Sequence, residues 1–258
     1  MSGFRKHIKM RPKILITLDT ASTNRKGVMI PVVQTKVAYG SAVEKAGGIP
    51  LYVAPTEDEA LLKDLVEHMD GLLVTGGHFD IPPQMFGQSV QRDVRLDELK
   101  PERTNFEAYL IHHAMQHHIP VLGICGGMQL LGALTGSRII QDINSEIPNS
   151  LEHEQASSPH TADHAVVLCE ESPLRAILTS STIHVNSTHH QALASVSEEF
   201  LIEGSSTDGI IEMIRKRDTN HHVVGVQWHP ELLNDRVSDC LYREFIRAST
   251  ASAPQSTT

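Results

Sequence analysis

Four short apolar runs separated by helix-period stretches constrain this chain more than any other feature. KILITLD (13–19), IPLYVAP (49–55), GLLVTGG (71–77) and IPVLGIC (119–125) are brief and almost wholly apolar, as strands buried on both faces are. Between them, TKVAYGSAVEKAGG (35–48), EDEALLKDLVEHM (57–69) and TNFEAYLIHHAMQHH (104–118) repeat apolar residues at helical spacing. Strands alternating with helices imply crossover connections, and hence a parallel sheet covered by helices. After the helix that begins near Gly126 the texture becomes β-rich, in SRIIQDI, HAVVLCE, TIHVNS, FLIEGSS, GIIEMIRK and HHVVGVQW. The expected fold class is α/β: a single domain with a mostly parallel central sheet flanked by helices, extended by antiparallel strands in the second half. The domain is read as 13–249, with 1–12 an N-terminal extension and 250–258, TASAPQSTT, a tail too poor in apolar residues to fold.

Charge and hydropathy then exclude whole classes of function. A chain of 258 residues buries a full core, and its net charge of -9 without a basic cluster argues against a nucleic-acid surface. No apolar run approaches the roughly 20 residues of a membrane span. MSGFRKHIKMRPK is basic but has no apolar h-region after it, so the expected location is cytoplasmic and the expected partner a small molecule. Cys125, Cys169 and Cys240 form no CxxC, so neither a disulfide framework nor a structural zinc site of cysteines is expected. Cys169 and Cys240 read as a strand residue and a helix-face residue.

IPVLGICGGMQLLGALTG sets Cys125 at the end of a buried strand and directly before a helix. Such a turn holds its apex residue under strain, and Gly123 and Gly127 leave room for close backbone approach. The unpaired N–H groups of a helix N-terminus favour a thiolate at the apex. Taken alone, GxCGG equally marks a tight turn around a core cysteine. About a hundred residues on, VVGVQWHPE ends an apolar run with His229 and Glu231. Two residues apart in an extended segment, the carboxylate lies beside the ring, orients it and leaves the other nitrogen free for a proton. A histidine capping a strand is the alternative if HPE stands alone. The three residues together give nucleophile, base and orienting acid. The acid follows the histidine, unlike the order in serine-elbow hydrolases.

GICGGMQ, VGVQWHPE and the early VTGG resemble the class I glutamine amidotransferase-like superfamily. GGHFDIPPQMFGQ, PERTNFEAYLI and VNSTHHQAL narrow the resemblance to its gamma-glutamyl hydrolase branch, peptidase C26, over nearly the whole chain. The resemblance implies a cysteine-dependent hydrolysis of a gamma-glutamyl amide, of gamma-glutamyl-gamma-aminobutyrate type, without a cofactor and in a possible homodimer. It places the oxyanion hole at Gly76, Gly77 and Gly126, and substrate contacts at Gln129, Asn186, Ser187, His189 and Gln191. A glutaminase subunit feeding ammonia to a separate synthase is the second reading. A binding protein that has lost catalysis is the third, and the intact Cys, His and Glu argue against it. Two departures stand out: Gly126 where the branch often has arginine, and RTNFE (103–107) where it often has RDxFE.

The connection from Gly76 to about Arg103 contains Pro82, Pro83 and Pro101 and reads as a long loop bordering the site. His112, His113, His117 and His118 pair at i and i+4 on one helix, but no cysteine or carboxylate completes a ligand set and no metal is expected. His190 reads either as part of the pocket wall or as closing a loop. His221 and His222 are read as a solvated hairpin tip, and TDG (207–209) as turn chemistry.

Overall fold

A computed structural model describes residues 10–92 and 94–252. In the first half β1 (Lys13–Thr17) leads through a hairpin, β2 (Asp19–Arg25) and β3 (Val28–Gln34), to α1 (Val37–Ala46) and β4 (Ile49–Val53). Then come α2 (Glu59–His68), β5 (Gly71–Val74), α3 (Pro101–Gln116), β6 (Val121–Ile124) and α4 (Gly126–Leu134). The second half holds β7 (Ile139–Ile140), α5 (Ile143–Glu146), β8 (His164–Leu168), α6 (Pro173–Leu178), β9 (Thr182–Val185) and β10 (Ala192–Leu193). It ends with β11 (Phe200–Ser206), β12 (Ile211–Lys216), β13 (Val223–Val226) and α7 (Arg236–Ser252).

The main sheet runs β4-β1-β5-β6-β13-β12-β11-β8-β9, with β10 and β7 appended beside β12. Strands β4 through β13 in that order are parallel, and pairing turns antiparallel from β12 outward. This is the α/β architecture expected. The strand pleat sorts side chains into two cores. Leu15, Leu72, Val74 and Val121 pack with α2, α3 and α4 on one face. Ile14, Ile16, Leu73, Leu122 and Ile124 pack with α1 and α7 on the other. Helix ends follow from local chemistry: Asp58 caps α2 by accepting from Ala60 and Leu61 N–H at 3.0 and 3.1 Å, and Gly47 closes α1 at φ 100°.

The hairpin β2–β3 was not anticipated from the apolar pattern. Its burial is low on both faces, so no alternation marks it; its signal is the Lys26-Gly27 turn, both residues at positive φ. The tail expected from residue 250 also needs correction. Residues 250–252 continue α7, with Thr250 Oγ1 donating to the Ile246 carbonyl at 2.7 Å, because Leu241, Tyr242, Phe245 and Ile246 seat that helix in the core. Residues 253–258 and 1–9 lie outside the described residues.

Candidate active site

Three neighbouring parallel strands, β5, β6 and β13, end together at one edge of the sheet, with Val74 beside Gly123 and Ile124 beside Val226. The segments that continue past these ends are Gly76-Gly77, Cys125 and Gln227 to His229. Topology therefore gathers residues far apart in the chain outside the carboxyl ends of the strands, where open α/β sheets bind ligands.

Cys125 is buried and holds φ 52° and ψ -110° at the N-terminus of α4. Its N–H donates to the Val226 carbonyl at 2.8 Å, and its carbonyl accepts from Gln129 N–H at 3.1 Å, so the strained conformation is clamped from both sides. The flanking glycines are required by contact. A Cβ on Gly127 would lie 2.3 Å from the Val74 carbonyl oxygen, and one on Gly123 would lie 2.8 Å from the Gly127 backbone. Gly126 differs, since a Cβ there meets only the Phe79 ring, at 3.5 Å and beyond. A Cβ on Gly76 would lie 2.9 Å from His229 Cε1 and 3.0 Å from Cys125 Cβ. That glycine lets thiol and imidazole approach each other.

His229 Nδ1 bonds Glu231 Oε1 at 2.7 Å, both residues being buried. The pairing is made differently from the extended segment expected: Pro230–Leu232 form a 3-10 turn that folds the carboxylate back onto the ring. Burial opposes charge on His229, but Glu231 and then Cys125 outweigh it and raise its pKa to about 9. For Glu231 burial acts upward, yet His229 and, further out, Lys36 hold its pKa below the usual carboxylate value; Lys36 Nζ lies 3.5 Å from Glu231 Oε1. Gln227 was missed in the sequence. Fully buried, it donates from Nε2 toward Cys125 Sγ at 3.7 Å and accepts from Gln129 Nε2 at 3.2 Å. It stands two before His229, so the alternation used to pair His229 with Glu231 would have found it.

The other expected residues separate into two groups. Gly77, Gly126, Gln129, His189 and Gln191 line the cleft in front of Cys125. Gln191 Nε2 is there without a partner, whereas Gln129 Nε2 already reaches the Gln191 carbonyl at 2.9 Å. Asn186 and Ser187 are fully buried and do not line that cleft. Asn186 instead clamps the backbone of His229, accepting from its N–H at 2.8 Å and donating to its carbonyl at 3.1 Å. Gly76 N–H is also committed, to Tyr39 Oη at 3.2 Å. Gly77 and Gly126, by contrast, line the cleft beside Cys125.

The long loop brings Asp80, Arg95 and Asp97 to the cleft, where Arg95 bonds both Asp97 oxygens at 2.9 Å and His190 Nε2 bonds Asp80 Oδ1 at 2.8 Å. His190 is therefore a wall residue that also ties down the loop. Behind it, fully buried Arg103 donates to the Thr75 and Gly76 carbonyls at 2.8 and 3.2 Å. Its charge is met by Glu107 at 3.0 Å and Asp19 at 3.1 Å, so Asp19 supplies a carboxylate where Thr104 does not. His221 and His222 are not solvated as expected. His221 is buried, with Nε2 2.8 Å from the Ile119 carbonyl, and His222 packs against Phe245 of α7. His113 and His117 stack at 5.5 Å at the end of α3.

The model of the peptidase C26 family matches residues 14–231. The chain belongs to the peptidase C26 family. Among relatives of this C26 protein, Protein NtpR of Enterococcus hirae is 34% identical over 78% of this chain and 82% of its own. The gamma-glutamyl-gamma-aminobutyrate hydrolase PuuD of Escherichia coli K12 is 30% identical over 86% and 88%. A glutamine amidotransferase-like protein of Rickettsia prowazekii is 29% identical over 94% and 99%. In fold, a Thermoplasma acidophilum protein assigned as part of a GMP synthase superposes with a TM-score of 0.61 at 16% identity, covering 94% of this chain and 96% of that one. The C26 chain is thus a hydrolase of the glutamine amidotransferase-like superfamily. Among its described residues no helix is long and apolar enough to cross a membrane.

Proposed function

We propose that this chain hydrolyses a gamma-glutamyl amide through a thioester on Cys125, with gamma-glutamyl-gamma-aminobutyrate the favoured type of substrate. The observation that carries the reading is Cys125 at positive φ on a helix N-terminus, facing a histidine whose other nitrogen is held by Glu231. In the first half-reaction the Cys125 sulfur attacks the gamma-carbonyl carbon, and the oxyanion is met by Gly77 and Gly126 N–H groups. The C–N bond breaks as the His229 imidazolium passes its proton to the departing amine. In the second half-reaction His229 takes a proton from water, which attacks the thioester and releases glutamate and the thiol. The relative that carries the name gamma-glutamyl-gamma-aminobutyrate hydrolase supports the acyl group and the amine. Gln191 Nε2 and the mixed charges of Arg95, Asp97 and Glu154 offer partners for the amino and carboxylate ends of a glutamyl group.

The test is glutamate release from gamma-glutamyl-aminobutyrate, glutamine, gamma-glutamyl peptides and folylpolyglutamate side by side. Cys125→Ala should abolish turnover and leave the melting temperature in place. Unchanged turnover in that variant would sink the mechanism, and turnover of glutamine alone would favour an ammonia-supplying role beside a synthase.

A further inference from the structure

Behind the cleft wall, four buried side chains from separate segments converge on one point. His164 lies on β8, Glu212 on β12, His153 in the loop before β8 and His189 in the loop before β10; they are 7%, 0%, 2% and 5% exposed. Glu212 Oε1 is 3.2 Å from His164 Nε2, 3.5 Å from His153 Nδ1 and 3.7 Å from His189 Nε2. The His153 ring centroid is 5.0 Å from that of His164 and 4.9 Å from that of His189. Donors held tetrahedrally at roughly 2.0–2.1 Å from a cation stand about 3.4 Å apart. His153, His164 and Glu212 each offer one ligand atom within 4.8 Å of the others, in reach of such a shell, and His189 Nε2 stands just outside that trio.

A second, independent observation concerns which nitrogens carry protons. His153 Nε2 faces Asp208 Oδ2 at 3.1 Å, and His189 Nδ1 faces the Gln191 carbonyl at 3.0 Å. A carboxylate and a carbonyl only accept, so the protons sit on those outer nitrogens and the inner ones present lone pairs. Ser187 Oγ, 3.2 and 3.1 Å from the inner nitrogens, has one proton and a carbonyl acceptor of its own, His153 O at 2.9 Å. Glu212 Oε2 has no hydrogen-bond partner. Of the inner nitrogens only His164 Nε2 donates to Glu212, at 3.2 Å to Oε1. A cation in place of that one proton would also satisfy the remaining lone pairs and the unpartnered carboxylate oxygen, away from water. Histidines whose outer N–H is held by a carboxylate or carbonyl are the usual ligands of such a cation.

We propose that His153 Nδ1, His164 Nε2 and Glu212, with His189 Nε2 drawn in as the fourth ligand, form a buried site for one divalent transition cation of zinc type. Three imidazoles and a carboxylate suit zinc, and four protein ligands with no open position make the role structural. The cation ties β8 and β12 to the 187–191 segment, and so fixes the wall that carries His189 and Gln191.

The full chain, purified from zinc-supplemented medium, should hold about one zinc per molecule, and so should Cys125→Ala. Glu212→Gln and His164→Asn should hold at least about tenfold less. Chelator-stripped wild type should regain its melting temperature when zinc is added back. Cobalt-loaded Cys125→Ala should show the strong visible bands of a four-coordinate centre without a thiolate charge-transfer band, a readout that does not require the ligand variants to fold. A metal-free wild type whose melting temperature ignores added zinc overturns the site and leaves a proton-filled histidine cluster. Loss of metal in Cys125→Ala also overturns it, by moving the cation to the thiol.

Discussion

In the mechanism we propose, Glu231 acts on the Cys125 thiol only through the ring of His229, and the pH dependence of turnover should show it. The imidazolium is the form that donates to a leaving amine, and with its pKa raised to about 9 it persists through neutral pH. Activity limited by that proton is therefore kept at neutral pH and lost as pH rises through about 9. Glu231→Gln removes the main attraction opposing burial, so the alkaline limb of kcat/KM should move to lower pH. The rate constant kcat should fall on the order of 10^3- to 10^4-fold. A limb that stays in place would mean that another group titrates there. The two glycines after Cys125 make an opposed pair. Gly126→Ala has space beside Phe79 and should change stability by less than about 0.5 kcal/mol. Gly127→Ala drives a Cβ against the Val74 carbonyl and should cost about 3 kcal/mol or more in a denaturant melt. Gly126 also lines the cleft, so Gly126→Arg should fold and alter KM.

At the scale of elements, Arg103 joins α3 to the turn after β5, and its loss should be felt in both. Arg103→Met leaves Glu107, fully buried, without its nearest cation, at a cost of about 3–5 kcal/mol. Arg103→Met combined with Glu107→Gln should recover part of that stability but not the position of the Gly76-Gly77 turn, so its kcat stays low. His222, between β13 and α7, gives a different signature. Burial first, then Arg215 and Arg247, lowers its pKa from 6.5 to about 3. Below 6.5 the unfolded chain takes up a proton that the folded chain refuses, so this contribution to stability is lost progressively as pH falls from about 6.5 toward 3. His222→Phe should make thermal stability flatter over that window. Neither prediction could be drawn from sequence alone. RKRDTNHH has the composition of a solvated turn, and only tertiary contacts, His221 with the Ile119 carbonyl and His222 with Phe245 of α7, show that its last two residues are covered. Strands β5 and β6 and most of β1 were legible because burial on both faces writes itself as an unbroken apolar run. The rule does not run backwards: β4, expected to be buried, is an edge strand with no buried residue, and Val28 to Val33 of β3 is an equally unbroken run that stays largely exposed.

For the whole molecule, what the sequence could not supply was adjacency. The identities of Cys125, His229 and Glu231 were readable, but that β13 lies parallel to β6, bringing Gln227 toward the sulfur, is a fact of strand order. So is the histidine and carboxylate cluster, whose members are spread from residue 153 to residue 212 with no ligand spacing to betray them. Charge, in contrast, is legible from composition and acts over the same long distances. The chain carries a net charge of -9, and gamma-glutamyl-aminobutyrate has one more carboxylate than ammonium, so their encounter is opposed by the average field. That field reaches about 30 Å at 0.01 M salt but only about 8 Å at 0.15 M. Raising ionic strength across this range should therefore increase kcat/KM for gamma-glutamyl-aminobutyrate by a few-fold. It should leave gamma-glutamyl-methylamide, whose leaving amine has no carboxylate, nearly unchanged. A decrease for the anionic substrate would show that Arg95 and His190 at the cleft outweigh the rest of the molecule, and would make them its electrostatic guides.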